Sequence, residues 1–286
     1  MRWLLRVSAV AVVAAASAAP ALAKLVVAQR TPLQRAATAD VVVVGKVTAI
    51  EKEAVEVVPF PGAPNKIAYK VAVVKVQTPL IGAGNLTHVK VGFVPRPANP
   101  QPGIRPRPGL LPELKEGDEF LFFLSRHPDA GFHAMPAMSP PIRLEGDEGK
   151  KNLEAVKKVA AVLGDPVKGL KSDDPAERYV TAAVLVTRYR AYPEFGGTQV
   201  DQVPIPAEES RLILKALLDR DWTKIEPGLP NPPQLFFSLQ LTDKDNWTQP
   251  KPQPGMNFNA QLKDEFAKWL DGPGKDYQIK RIVAKK

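Results

Sequence analysis

The sequence predicts a mixed α+β protein of two modules, a small closed β-barrel followed by an α-helical domain. Three observations carry this. Short runs of β-branched and aromatic residues fill the first half, from Asp40 to Leu144. Apolar faces at helical spacing fill the second half, from Asn152 onward. The chain has 286 residues and is 44% hydrophobic, enough for one large domain or two ordinary ones with a packed core.

The N-terminus reads as an export signal. Arg2 and Arg6 precede the uncharged Ala/Val-rich run Val7 to Ala19, and Ala21-Leu22-Ala23 follows Pro20 as a small-residue cleavage site. The run is shorter than the roughly 20 residues that span a bilayer. The expected layout is therefore a signal peptide over 1–23, a barrel over 24–149 and a helical domain over 150–286. The mature chain is expected to be secreted or periplasmic, without a transmembrane segment. There is no Cys, so disulfides, thiolate metal sites and a Cys nucleophile are excluded, and core packing must hold the fold.

In the first half, Asp40 to Ile50 begins as a continuous Val run and ends alternating. That pattern fits a strand covered on both faces and then on one, with Gly45 marking a bulge or bend. Ile67 to Gln77, Thr87 to Val94 and Glu119 to Leu124 read as further strands. Phe132 to Met135 and Ile142 to Leu144 read as short ones. Pro59 to Asn65, Gly82 to Asn85 and Leu114 to Asp118 are turns or loops. Five or six short strands in about 105 residues suit a closed barrel, which leaves no open edge.

Three segments together carry a resemblance: Ala39-Asp40 with Gly45-Lys46-Val47, Tyr69-Lys70-Val71 with Val74-Lys75-Val76, and Glu116 to Leu124. This order resembles the OB-fold, netrin-like module of tissue inhibitors of metalloproteinases, over roughly Lys24 to Leu144. The resemblance implies an OB-like barrel and, by extension, inhibition of secreted metallopeptidases. The family's inhibitors place an N-terminal Cys on the protease zinc and brace the module with disulfides. This chain has no Cys, so the fold is carried over and the inhibitory residues are not.

In the second half, Asn152 to Leu163 places Leu153, Val156, Val159, Ala160 and Leu163 on one face, and Gly164 stops it. Asp174-Pro175-Ala176-Glu177 is a helix start with Asp174 as N-cap and Glu177 closing a capping-box-like pair. This helix runs to about Arg190. Its Asp-Pro start and Ala/Val-rich body faintly resemble a HEAT-like unit, with no second copy at a fixed period. Pro206 to Asp219 and Asn259 to Leu270 are two more helices. Glu226 to Gly255 is Pro-rich and reads as a loop, with Leu235-Phe236-Phe237 as an apolar plug over the bundle.

Charge narrows the function. Lys and Arg number 39 against 30 acids. Most of the excess sits in two segments. Pro95 to Pro112 holds Arg96, Arg105 and Arg107 with no acid, and Lys275 to Lys286 holds five cations against Asp276. A surface that tracks nucleic-acid phosphates needs Lys and Arg spread over one face, so specific nucleic-acid binding is not expected. The Pro-rich segment is the candidate binding element. Prolines limit the entropy lost on docking, and the three arginines suit carboxylates or an anionic polymer. The basic tail reads as solvated surface.

Catalytic motifs are absent from the sequence pattern. His88, His127 and His133 are the only histidines, and spacing does not show whether they converge on a metal. Ser125-Arg126-His127 lacks a nucleophile elbow. No phosphate loop is present, and no cofactor is implied. The expectation is an exported, non-catalytic binding or scaffold protein that meets a protein or an anionic cell-envelope polymer. The alternative, an inhibitor of secreted metallopeptidases, follows from the resemblance alone.

Overall fold

The computed structural model describes residues 30–95, 112–136, 139–195, 199–226 and 228–285. The expected signal peptide therefore lies outside the described residues. Among those described, the fold is mixed α+β, with no helix long and apolar enough to cross a membrane.

Helix α1 (Pro32–Thr38) opens the fold. Thr31 and Gln34 form a capping box around Pro32, which fixes the first turn. A six-stranded sheet follows: β1 (Val41–Ile50), β2 (Val55–Val57), β3 (Ile67–Ile81), β4 (His88–Phe93), β5 (Glu119–Arg126) and β6 (His133–Ala134). Neighbours run β1-β5-β6-β4-β3-β2, and β3 also pairs with β1. The pairings β1-β5-β6-β4-β3 thus return to β1. Only β4 and β6 are parallel within that circuit. Ile142 forms a single bridge to Leu121 rather than a strand.

The Val run of β1 is covered on both faces, as its continuity predicts. Val41 and Val43 join Phe120, Phe122, Leu124, Val74 and Val91 in one apolar cluster. Val42 and Val44 join Leu121 and Phe123 in a second, completed by Leu33 and Ala36 of α1 and by helix residues farther along the chain. Period-two alternation divides β1 and β5 between the two clusters. The β1–β3 register slips beside Gly45, where a Cβ would press on Val74 and the Lys75 carbonyl. A bulge there suits glycine.

The helices are α2 (Gly146–Gly164), α3 (Pro166–Leu170), α4 (Pro175–Tyr189), α5 (Ala207–Leu218), α6 (Pro232–Ser238) and α7 (Phe258–Asp271). Val156 and Val159 of α2 and Val184 of α4 pack on the outer face of β1 and β5. The other side of α4 (Ala182, Leu185, Val186) faces the helical core with Ile213, Leu217, Trp222, Phe236 and Phe266. Burial on two sides explains its Ala/Val-rich body. Asp174 caps α4 by accepting the Ala176 N–H at 2.8 Å. Glu177 accepts the Ser172 hydroxyl instead of closing a box.

Two expectations are corrected. The Glu226 to Gly255 segment is not simply a loop. Asn231 and Gln234 form a second capping box around Pro232, and α6 follows with Leu235 and Phe236 buried and Phe237 exposed. The basic tail is not solvated surface alone. Its residues form β8 (Lys280–Ala284), antiparallel to β7 (Val200–Pro204), and Ile282 is buried.

Candidate anion-binding cleft

The three histidines singled out in the sequence do not converge on one site. Arg96, Arg105 and Arg107 lie outside the described residues. His88 is exposed on β4 beside the Thr87 hydroxyl. His127 is buried. Its Nε2 donates to the Val58 carbonyl at 2.9 Å, while Nδ1 accepts the Asp129 N–H at 3.2 Å. Tyr69, Phe132 and Phe195 surround its ring. Both nitrogens are therefore engaged, and buried Ser125 has no base in His127. Burial lowers the His133 imidazole from its ordinary value, with Asp40 and Arg126 acting in opposite directions. Among the described residues, no group of three His, Asp or Glu side chains is placed to hold a metal ion.

The structure instead gathers arginines that sequence separates. A cavity of about 540 Å³ opens between the end of β5, the end of α4 and the edge of β8, lined in part by Arg126, Arg188 and Arg281. Each comes from a different element. Arg126 ends β5, Arg188 lies in the last turn of α4, and Arg281 is carried by β8. The segment Ala191 to Glu194 separates this cavity from a second of about 730 Å³, which Arg30 and Arg190 line.

The charges differ in how they are engaged. Arg188 Nη1 donates to the Ala37 and Ala39 carbonyls, at 3.2 and 2.6 Å, and so closes the C-terminus of α1. Arg30 pairs with Glu194 at 3.3 Å. Asp40 accepts the backbone N–H of Arg126 at 2.9 Å. The Tyr189 hydroxyl donates to Glu209 at 2.5 Å. Burial, then that bond to Glu209, pushes the Tyr189 phenol well above its ordinary value, while Arg281 and Arg188 pull the other way. The guanidinium heads of Arg126 and Arg281 make no hydrogen bond or ion pair among the described residues, and both side chains belong to exposed residues. The cleft thus offers two available forks for carboxylate or another planar anion.

Sequence reading missed this cleft because its three cations sit in separate elements. The one local sign is Arg188 and Arg190 following the apolar run Ala182 to Val186 at the end of α4. No protein-family model matches the chain, and no curated protein is similar to it in sequence.

Proposed function

We propose that the protein is an exported, non-catalytic binding protein that takes a carboxylate-rich chain in the cleft between β5, α4 and β8. One observation carries this reading. Arg126, Arg188 and Arg281 line the same cavity, against Asp40 and a Glu194 that is already paired with Arg30. This excess of cations in the lining favours an anionic ligand and disfavours a cationic one. Export is proposed on the leader-like pattern of residues 1–23 alone. Arg96, Arg105 and Arg107 are retained as a proposed second contact, on sequence grounds.

We read the circuit β1-β5-β6-β4-β3 as a small OB-like barrel and the helices as a module packed on its outer face. Its strand order, with one parallel pair, supports the fold half of the resemblance to netrin-like modules. Inhibition of a secreted metallopeptidase is therefore the second reading, and a panel of zinc peptidases at high micromolar protein tests it.

The primary reading is tested by titrating fluorescein-labelled polyglutamate and polylysine against the full chain and an Arg126→Ala/Arg281→Ala variant. Polyglutamate alone should bind, about tenfold or more weakly to the variant, as expected for lost charge-assisted contacts. Equal binding by both proteins overturns the assignment of the cleft.

A further inference from the structure

The edge of β8 that borders the cleft has unpaired backbone groups. In its ladder with β7, Ala284 stands opposite Val200, Ile282 opposite Gln202 and Lys280 opposite Pro204. Two flanking bonds fix the alternation. The Lys285 N–H donates to the Gln199 carbonyl at 3.3 Å, and the Ile205 N–H donates to the Ile279 carbonyl at 2.9 Å. In an antiparallel pair, bonded and non-bonded positions alternate. The backbone groups of Arg281 and Val283 therefore point toward β7, and those of Lys280, Ile282 and Ala284 point away. Pro204 agrees with this register, since it has no N–H and falls at a non-bonded position.

The outward carbonyl of Lys280 accepts from Arg190 Nη1 at 2.7 Å. The outward N–H and C=O groups of Ile282 and Ala284 have no partner among the described residues, and both residues line the 540 Å³ cavity. An edge with open donors and acceptors is a template for a further strand. Here it lies beside two guanidinium groups that make no ion pair among the described residues.

We propose that the open edge of β8 takes an extended acidic peptide as a third strand of the β7–β8 ribbon. Main-chain bonds to Ile282 and Ala284 hold the peptide, and Arg126 and Arg281 select carboxylates on it. This mode of recognition divides affinity and selectivity between backbone and side chains. The proposal rests on the cleft being an anion site and adds the peptide class and its backbone pairing.

The test uses the full chain and fluorescein-labelled Glu-Val-Glu-Val-Glu-Val, beside the same peptide methylated on every backbone nitrogen. Methylation keeps the charge and removes the donors. The unmethylated peptide should bind at least tenfold more tightly. Ala284→Pro should lose the same factor with an unchanged thermal midpoint, because the N–H it removes points away from β7 and proline is accepted at sheet edges. Should that variant fold poorly, the methylated peptide still decides. Equal binding of both peptides overturns strand addition and leaves the anion cleft standing. Binding of neither overturns both. A concentration-dependent dimer in sedimentation that Ala284→Pro abolishes assigns the edge to a second copy of the chain and overturns the peptide assignment.

Discussion

Arg190 Nη1 donates to the carbonyl of Lys280 at 2.7 Å, so the end of α4 holds the first residue of β8. The same guanidinium donates to the Ser238 carbonyl and to Gln240 Oε1, each at 2.8 Å. It is 8% exposed. One planar fork therefore joins α4, the end of α6 and β8. Arg190→Ala leaves three part-buried acceptors without their donors and should cost about 2 kcal/mol in urea unfolding. Arg190→Lys should recover only part of this, since one ammonium does not span three acceptors set for a fork. A loss below about 0.5 kcal/mol for Arg190→Ala, the scale of an ordinary surface change, contradicts this role.

A second fastening of β8 titrates. Lys280 Nζ meets Asp245 at 2.8 Å, and Asp245 also accepts from the Thr242 N–H and hydroxyl. Burial acts to raise the Asp245 carboxyl, but the Lys280 bond and the two Thr242 bonds together bring it below the ordinary carboxylate value of 3.8. A carboxyl depressed in the folded state contributes stability above its unfolded value. That stability is lost as pH falls from about 4 through the lower folded value. Asp245→Asn should therefore weaken the fold by about 1 kcal/mol at pH 7 and flatten the acid limb of stability below pH 4. An acid limb parallel to that of the unmodified protein removes Asp245 from this role.

The legible parts of the fold are those whose sequence pattern is local. Val41 to Val44 and Phe120 to Leu124 are continuous apolar runs because helices cover the face that an open sheet would leave wet. Asp174-Pro175 announces α4 by cap chemistry alone. The same chemistry stands in Thr31-Pro32 with Gln34 and in Asn231-Pro232 with Gln234. Neither α1 nor α6 is read from it, because each is only seven residues long and offers little periodicity. The tail strand is illegible for another reason. The five cations of Lys275 to Lys286 dominate the local pattern, and the strand's partner β7 lies far back in the chain. The cleft inherits that illegibility, since Arg281 reaches it only through the β7–β8 ladder.

Close approach of two strands gives a third prediction. Gly92 of β4 pairs with Ala134 of β6 and Val71 of β3, and a Cβ at position 92 would overlap the ring of Phe132. Phe132 is buried and packs on Tyr69 and His127. Gly92→Ala should therefore cost about 1–3 kcal/mol by overpacking. In the double variant Gly92→Ala/Phe132→Leu, the smaller side chain removes part of the clash, so the two losses should sum to more than the measured one. Simple additivity in chemical denaturation places the cost of Gly92→Ala elsewhere.

The last prediction concerns the approach to α6. The Tyr179 hydroxyl of α4 donates to the Pro230 carbonyl at 2.6 Å, in a buried position directly before the Asn231 cap. Burial raises the phenol from its ordinary value, with Glu226 adding to the rise and Arg220 opposing it. The phenol thus stays a donor throughout the neutral range. Arg220 also lies over the Tyr179 ring, 4.9 Å from its centroid. Tyr179→Phe preserves the ring and that cation contact but strips the carbonyl of its donor. A loss of about 1–2 kcal/mol is expected, with faster amide exchange at Gln234, the residue whose N–H the Asn231 side chain accepts at 2.9 Å. Exchange at Ala176, the capped N–H of α4, should not change, which separates release of α6 from a general loss of stability. Unchanged exchange at Gln234 together with unchanged stability removes the Tyr179 hydroxyl as the anchor of this cap.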